Sequence, residues 1–275
     1  MQRGGDRGAG EYMSAAKPAT LITGASSGIG ASLARLFAEN GHDVLLAARR
    51  EPELNAVADG IAAGGHARPH VMALDLTAPG AAQRLGEALC ERGLEPQYVV
   101  NNAGFGLLGR AETLNCNDQL AMIDLNVRAL TDLSVRFVES LARHRGGILN
   151  VASIASFIPG PGMSVYHATK AYVLSFSDGL RRELKPKGVR VTVLCPGPVL
   201  TGFQERAGVC GKHYPSGFVR SADQVAREGY EGLMKGRNTV VPGVHNKIVP
   251  WLPRFLPRAM LADSVYARLR TWDDV

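Results

Sequence analysis

Residues 19–40 read ATLITGASSGIGASLARLFAEN. The first five, ATLIT (19–23), are apolar or β-favouring and predict a strand. Gly24, Gly28 and Gly30 follow within eight residues, and then IGASLARLFAEN shows the apolar spacing of a helix that stops at Asn40-Gly41. Glycine where a strand turns into a helix permits a sharp turn. It also lets backbone N–H groups approach a pyrophosphate, which the positive helix end favours. The spacing here is G-x-x-x-G-x-G rather than G-x-G-x-x-G. Ser26, Ser27 and Ile29 lie in the same loop and join the glycines as candidate cofactor contacts.

Outward from this stretch, the pattern repeats. Further strands are predicted at DVLLAA (43–48), HVMAL (70–74), YVVNN (98–102), GILNVA (147–152), VRVTVL (189–194) and TVVP (239–242), with amphipathic segments of helical length between them. The strands are nearly continuous in apolar character, as expected of strands buried on both faces. Such alternation predicts an α/β fold, a Rossmann-type doubly wound parallel sheet of about seven strands flanked by helices, in one domain. The expected organisation is a disordered leader over 1–17 (with Met13 a possible start in place of Met1) and a dinucleotide-binding and catalytic domain over 18–245. A lid insertion is expected at about 198–220, and an irregular tail over 246–275.

The chain has 275 residues, 31 Lys and Arg against 25 Asp and Glu, and a net charge of +6. Its cations are scattered, with no basic block interleaved with aromatics, so no nucleic-acid partner is expected. Cys90, Cys116, Cys195 and Cys210 show no C-x-x-C pairing or zinc spacing. The reading is a reducing cytoplasm, no disulfide framework and no metal. No run of 18 apolar residues is present to span a bilayer.

The second strand ends in Ala48-Arg49-Arg50. An acid about 20 residues beyond the glycines would hold the ribose hydroxyls of NAD. Asp43 is at the wrong end of that strand, and Glu51 lies one step past the arginines. A guanidinium suits a 2′-phosphate. The expected cofactor is therefore NADP(H) in preference to NAD(H), with Arg49 the main contact and Arg50 assisting.

Residues 166–170, YHATK, place a phenol and an ammonium four positions apart, on one helix face. A tyrosine has a pKa of about 10, and a cation about 4 Å away contributes roughly 4 kcal/mol at an effective dielectric near 20. That is about three pKa units, enough to make Tyr166 a usable general acid–base with Lys170 as its tuning charge. Ser153, read as ending the strand before it, lies thirteen residues upstream. His167 points elsewhere and is read as packing; Cys195 is read as a buried strand residue.

TGASSGIG (23–30), NNAG (101–104), LNV around Asn126, Ser153, YHATK and PGPVLT (196–201) stand in the order and spacing of the short-chain dehydrogenase/reductase family, single-domain branch. The chain resembles that family over residues 18–245, without departure at the catalytic positions. The resemblance implies hydride transfer between a nicotinamide and a carbonyl or alcohol, with catalytic Asn126, Ser153, Tyr166 and Lys170. Ser153 would steady the developing oxyanion, and Asn126 would hold a water that feeds protons through the lysine. It further implies that Asp75 and Leu76 lie near the adenine, and that Asn102, Ala103 and Gly104 line the cofactor trough. Pro196, Gly197, Val199 and Thr201 would lie beside the nicotinamide, as would Tyr166 and Lys170. A homodimer or homotetramer, formed through the long helices before and containing the tyrosine, is implied as well.

Phe105, Phe157, Pro159, Met163 and Phe203 make the expected substrate lining apolar, together with Ile158 and Pro161. A hydrophobic aldehyde, ketone or ketoacyl compound fits such a lining better than a sugar. The tail KIVPWLPRFLPRAMLADSVYARLR carries Pro250, Pro253 and Pro257, which argue against one long helix. Pocket cover or subunit contact ranks ahead of membrane association for it. Two alternatives to a carbonyl reductase are a catalytically silent NADPH-sensing module and a peripheral membrane oxidoreductase acting on lipid-like carbonyls.

Overall fold

A computed structural model describes residues 16–199, 201–207 and 216–269. Seven parallel strands form one sheet in the order β3-β2-β1-β4-β5-β6-β7. They are β1 (Lys17–Thr23), β2 (Asp43–Ala48), β3 (His70–Ala73), β4 (Leu94–Asn101), β5 (Gly147–Val151), β6 (Arg190–Leu194) and β7 (Thr239–Val240). The expected doubly wound sheet is present. Side chains alternate across each strand and both faces are covered, so most central positions are apolar, and buried polar ones such as Asn101 and Asn150 hydrogen-bond each other.

On one face, Ile22, Leu46, Val100 and Leu149 pack with Leu33 and Phe37 of α1 (Gly28–Glu39), Leu54 and Ile61 of α2 (Glu51–Ala63), and Val225 and Leu233 of a later helix, Ala222–Met234. On the other face, their neighbours Leu21, Leu45, Val99 and Ile148 meet Leu85 and Leu89 of α3 (Ala81–Glu91). The same cluster holds Leu133 and Leu141, and Leu180 and Leu184 of a helix over Ser164–Leu184.

Some elements differ from the expected ones. β4 begins at Leu94, four residues before the apolar run at Tyr98, because Glu95, Pro96 and Gln97 hide its start. Pro96 is tolerated in this central strand where the β1 register shifts between Ala19 and Thr20, a bulge that accommodates a missing N–H. β3 and β7 lie at the sheet edges, and β7 has only two residues. Strand β5 stops at Val151, so Ser153 lies beyond it, capping a 3-10 turn over Ile154–Phe157.

After β4, the chain continues through α4 (Cys116–Ile123), a π-helical turn (Asp124–Ala129), α5 (Leu130–Arg136) and α6 (Val138–Arg143). Then come α7 (Ser164–Leu184), α8 (Gly202–Ala207) and α9 (Ala222–Met234). The tail is more regular than expected, but its prolines do divide it. A 3-10 helix over His245–Trp251, α10 (Leu252–Phe255) and α11 (Arg258–Leu269) replace one long element. Residues 1–15 of the expected leader, both candidate start methionines, Leu200 and 208–215 of the expected lid, and the last six residues lie outside the described ones. Lys17, placed in the leader by sequence, already belongs to β1.

Thr23 ties the sheet together at its C-terminal edge. Its buried hydroxyl donates to Val100 O (3.2 Å) and accepts from the N–H groups of Asn102 (3.0 Å) and Ala103 (3.1 Å). Thr23→Val keeps the shape but strands these donors, and should lower stability by about 1–3 kcal/mol, measured as a shifted urea midpoint at unchanged slope.

Candidate active site

The strand order reverses between β1 and β4, and at such a switch point the loops leaving the strand ends diverge and open a crevice. The glycine loop after β1 and residues 102–104 after β4 meet there. Asn102 joins them by donating from Nδ2 to Thr23 O (3.0 Å) and Gly24 O (3.1 Å). At Gly30 a side chain is impossible: a Cβ would stand 2.4 Å from Gly24 O and 2.5 Å from Asn102 Nδ2. Ser27 occupies the N-cap of α1 without bonding back to the helix by its side chain. The first N–H groups of a twelve-residue helix thus face the crevice without a side-chain acceptor, which fits a diphosphate.

Around this cradle, Arg50 donates to Ser26 Oγ (3.2 Å) and pairs with Glu53 (3.0 Å), while Arg49 extends into solvent. Asp75 turns inward on its own loop, accepting from the N–H (2.9 Å) and hydroxyl (2.8 Å) of Thr77. The Thr201 side chain stands against Gly28, which brings the loop after β6 to the glycine loop. Val199 pairs in a short bridge with Arg220.

Deeper in, α7 presents Tyr166 and Lys170, both buried. The Lys170 ammonium donates to Val151 O at the end of β5 (2.8 Å) and lies 5.8 Å from the Tyr166 ring centroid. Burial pulls the Lys170 pKa down from its ordinary value to about 8. Cys195 beside it contributes no charge, because burial pushes its thiol up to about 12.

Asn126 sits in the π-helical turn, a geometry that recurs at functional sites. Its side chain pairs with the backbone of Phe105 on both sides, accepting from its N–H (3.1 Å) and donating to its O (2.9 Å). The second amide proton goes to Thr169 Oγ1 (3.1 Å). A Cβ at Gly104 would stand 2.9 Å from Asn126 Oδ1 and 3.3 Å from Lys170 Nζ, so both polar atoms converge behind that one glycine. Ser153 Oγ accepts from Ala155 N (3.1 Å), and Ala155 packs in the same cluster as Tyr166. Three residues on from Ser153, Ser156 donates to Lys170 O (2.8 Å), fixing the turn to α7.

Phe105, Met163 and Phe203 gather around Tyr166. Phe157 does not join them: it packs with Val173, Val193 and Cys195 in a separate cluster. His167 bonds Ile158 O through Nδ1 (2.8 Å), its ring fills the space left by Gly160, and burial holds its pKa below the usual value. It is a packing residue, as its position along the helix implied.

Sequence reasoning missed Thr23, whose only signal is a hydroxyl closing an apolar strand. It also missed Asn246, which is fully buried and donates to Phe218 O (3.2 Å) and Pro242 O (2.8 Å) while filling the space beside Gly197. No pattern in the tail announced it.

A model of the short chain dehydrogenase family matches residues 18–208. The chain belongs to the short-chain dehydrogenase/reductase family. It is an oxidoreductase of that family and binds a nicotinamide cofactor. Sulfoacetaldehyde reductase 2 of Chromohalobacter salexigens is 37% identical over 66% of this chain and 73% of its own length. Among solved structures, a short-chain dehydrogenase from Sphingobium yanoikuyae in complex with NADPH is 32% identical, with a TM-score of 0.76 over 90% of this chain and 99% of the other. The bulky-bulky ketone specific alcohol dehydrogenase from Comamonas testosteroni is 28% identical, with a TM-score of 0.71 over 90% and 98%.

Gly104 carries a specific expectation. Gly104→Ala forces the buried Asn126 amide away from Phe105 and should cost about 1–3 kcal/mol. Amide hydrogen exchange at Phe105 should accelerate more than that of the sheet core, and equal protection in both proteins would contradict the packing described.

Proposed function

We propose that this oxidoreductase reduces an apolar aldehyde, ketone or ketoacyl compound with NADPH, Tyr166 acting as general acid. The observation that carries the reading is the buried ammonium of Lys170 beneath the Tyr166 ring, beside an apolar cluster. When bound, the nicotinamide supplies the hydride. The residues of this chain then have three tasks: to hold the carbonyl, to deliver a proton to its oxygen and to keep the site dry.

Ser153, held half-buried at the cap of its turn, donates a hydrogen bond to the carbonyl oxygen and steadies negative charge there. Tyr166 gives its phenolic proton to the same oxygen. Lys170 lowers the cost of the resulting phenolate by its charge, and its proton refills the site. The remaining acceptor capacity of Asn126 Oδ1, aimed behind Gly104 with Lys170 Nζ, suits a water on that proton path. Phe105, Met163 and Phe203 line the apolar side, with Val265 of α11 packed against the same cluster as a cover.

Arg49 and Arg50 favour the 2′-phosphate of NADP(H), Arg50 already being drawn to Ser26 in the glycine loop. Gly24, Ser26, Ser27, Gly28, Ile29 and Gly30 would hold the diphosphate. Asp75 and Leu76 would face the adenine, and Asn102 to Gly104, Pro196, Gly197, Val199 and Thr201 the trough and nicotinamide. The NADPH in the Sphingobium neighbour and the ketone specificity of the Comamonas neighbour support this choice. Exposed Leu120, Ile123, Val135 and Tyr172 on α4, α5 and α7 support a homodimer or homotetramer through those helices, in a reducing cytoplasm.

The test is absorbance-followed NADPH oxidation across apolar ketones, aldehydes and β-ketoacyl thioesters. Tyr166→Phe should lower turnover at least a hundredfold while NADPH still binds, as read by fluorescence titration. Arg49→Ala and Arg50→Ala should raise the NADPH KM about tenfold and leave that of NADH unchanged. A tenfold preference for NADH, or full turnover in Tyr166→Phe, would overturn the reading.

A further inference from the structure

The inner face of the C-terminal tail is built into the molecule. Asn246 and Val249, one 3-10 turn apart, are buried, and Leu261 of α11 follows them. Its outer face is bare. Ile248 and Trp251, one 3-10 turn apart, share a face of that helix and are exposed, and Val244 just before it and Phe255 in α10 after it are exposed at 77% and 78%. Leu256 and Met260 extend the exposed apolar surface. Large apolar side chains concentrated this way mark an interaction surface rather than ordinary scatter.

Charge identifies the occupant. From Gly232 to Ala262 the chain contains no Asp or Glu but carries Lys235, Arg237, Lys247, Arg254 and Arg258. Lys247, Arg254 and Arg258 fall within or beside the apolar patch, and the Arg254 guanidinium lies 4.5 Å from the Trp251 ring centroid. A two-fold contact of this patch with its copy would oppose cation to cation. An apolar patch whose own segment, 244–258, carries cations and no acid (the next acid, Asp263, follows Met260 on α11), with a tryptophan near its centre, is complementary to anionic lipid headgroups over acyl chains.

We infer that the face formed by Val244, Ile248, Trp251 and Phe255, with Lys247, Arg254 and Arg258, docks the protein onto anionic membrane surfaces. The protein lies on the bilayer without entering it as a span; no helix among the described residues is long and apolar enough to cross. The inference is independent of the substrate reading, since it rests on a surface that shares no residue with the Tyr166 cluster.

Full-length protein is sedimented with vesicles of phosphatidylcholine containing one-third phosphatidylglycerol, and with vesicles of phosphatidylcholine alone. Binding to the anionic vesicles should be at least tenfold tighter, and should weaken about tenfold between low and high salt. The double variant Trp251→Ser/Phe255→Ser should lose it. Lys247→Glu/Arg254→Glu should lose it too, and circular dichroism should show that both variants remain folded. No sedimentation with anionic vesicles would overturn the inference. So would a wild-type assembly, seen by light scattering, that dissociates in the serine variant without any vesicle binding, because the face would then join two copies.

Discussion

The site depends on one buried cation. Lys170 is carried into the protein by α7, and the carbonyl at the end of β5 takes its hydrogen bond. Burying an ammonium is costly and lowers its pKa, which is why only a site that uses the charge would keep it. Its depressed pKa means ammonium below about pH 8 and neutral amine above. Between there and the ordinary lysine value the unfolded chain binds the extra proton, so this group's contribution makes folding stability rise with pH across that window.

Several neighbours owe their identity to this arrangement. Gly104 has no side chain because Asn126 and Lys170 occupy the space behind it. Asn126 in turn grips Phe105 by both backbone groups, which sets the loop carrying one wall of the apolar cluster. Ser156 fastens the Ser153 turn to the carbonyl of Lys170 itself. Electrostatic and apolar halves of the site are thereby coupled through short-range contacts.

Much of this was legible in the sequence. The sheet showed because strands buried on both faces are apolar at most positions, and TGASSGIG showed because a glycine such as Gly30 has no substitute where α1 meets β1. What stayed hidden depends on tertiary position. Pro96 concealed the first half of β4, since sequence alone does not reveal that a bulge will excuse the missing donor. Phe157 and Met163 look equally apolar, yet the turn after Ser153 sends one into the core and leaves the other beside Tyr166. The tail hid most. Its prolines promised irregularity, whereas short 3-10 and α-helical turns form around them and leave Val244, Ile248, Trp251 and Phe255 exposed.

The most direct measurement is a titration of the Lys170 side chain by carbon-13 NMR of its ε-carbon, assigned by comparison with Lys170→Met. The account predicts a midpoint near pH 8, well separated from the remaining lysines. A midpoint above about 10, the range of a solvated lysine, would contradict it.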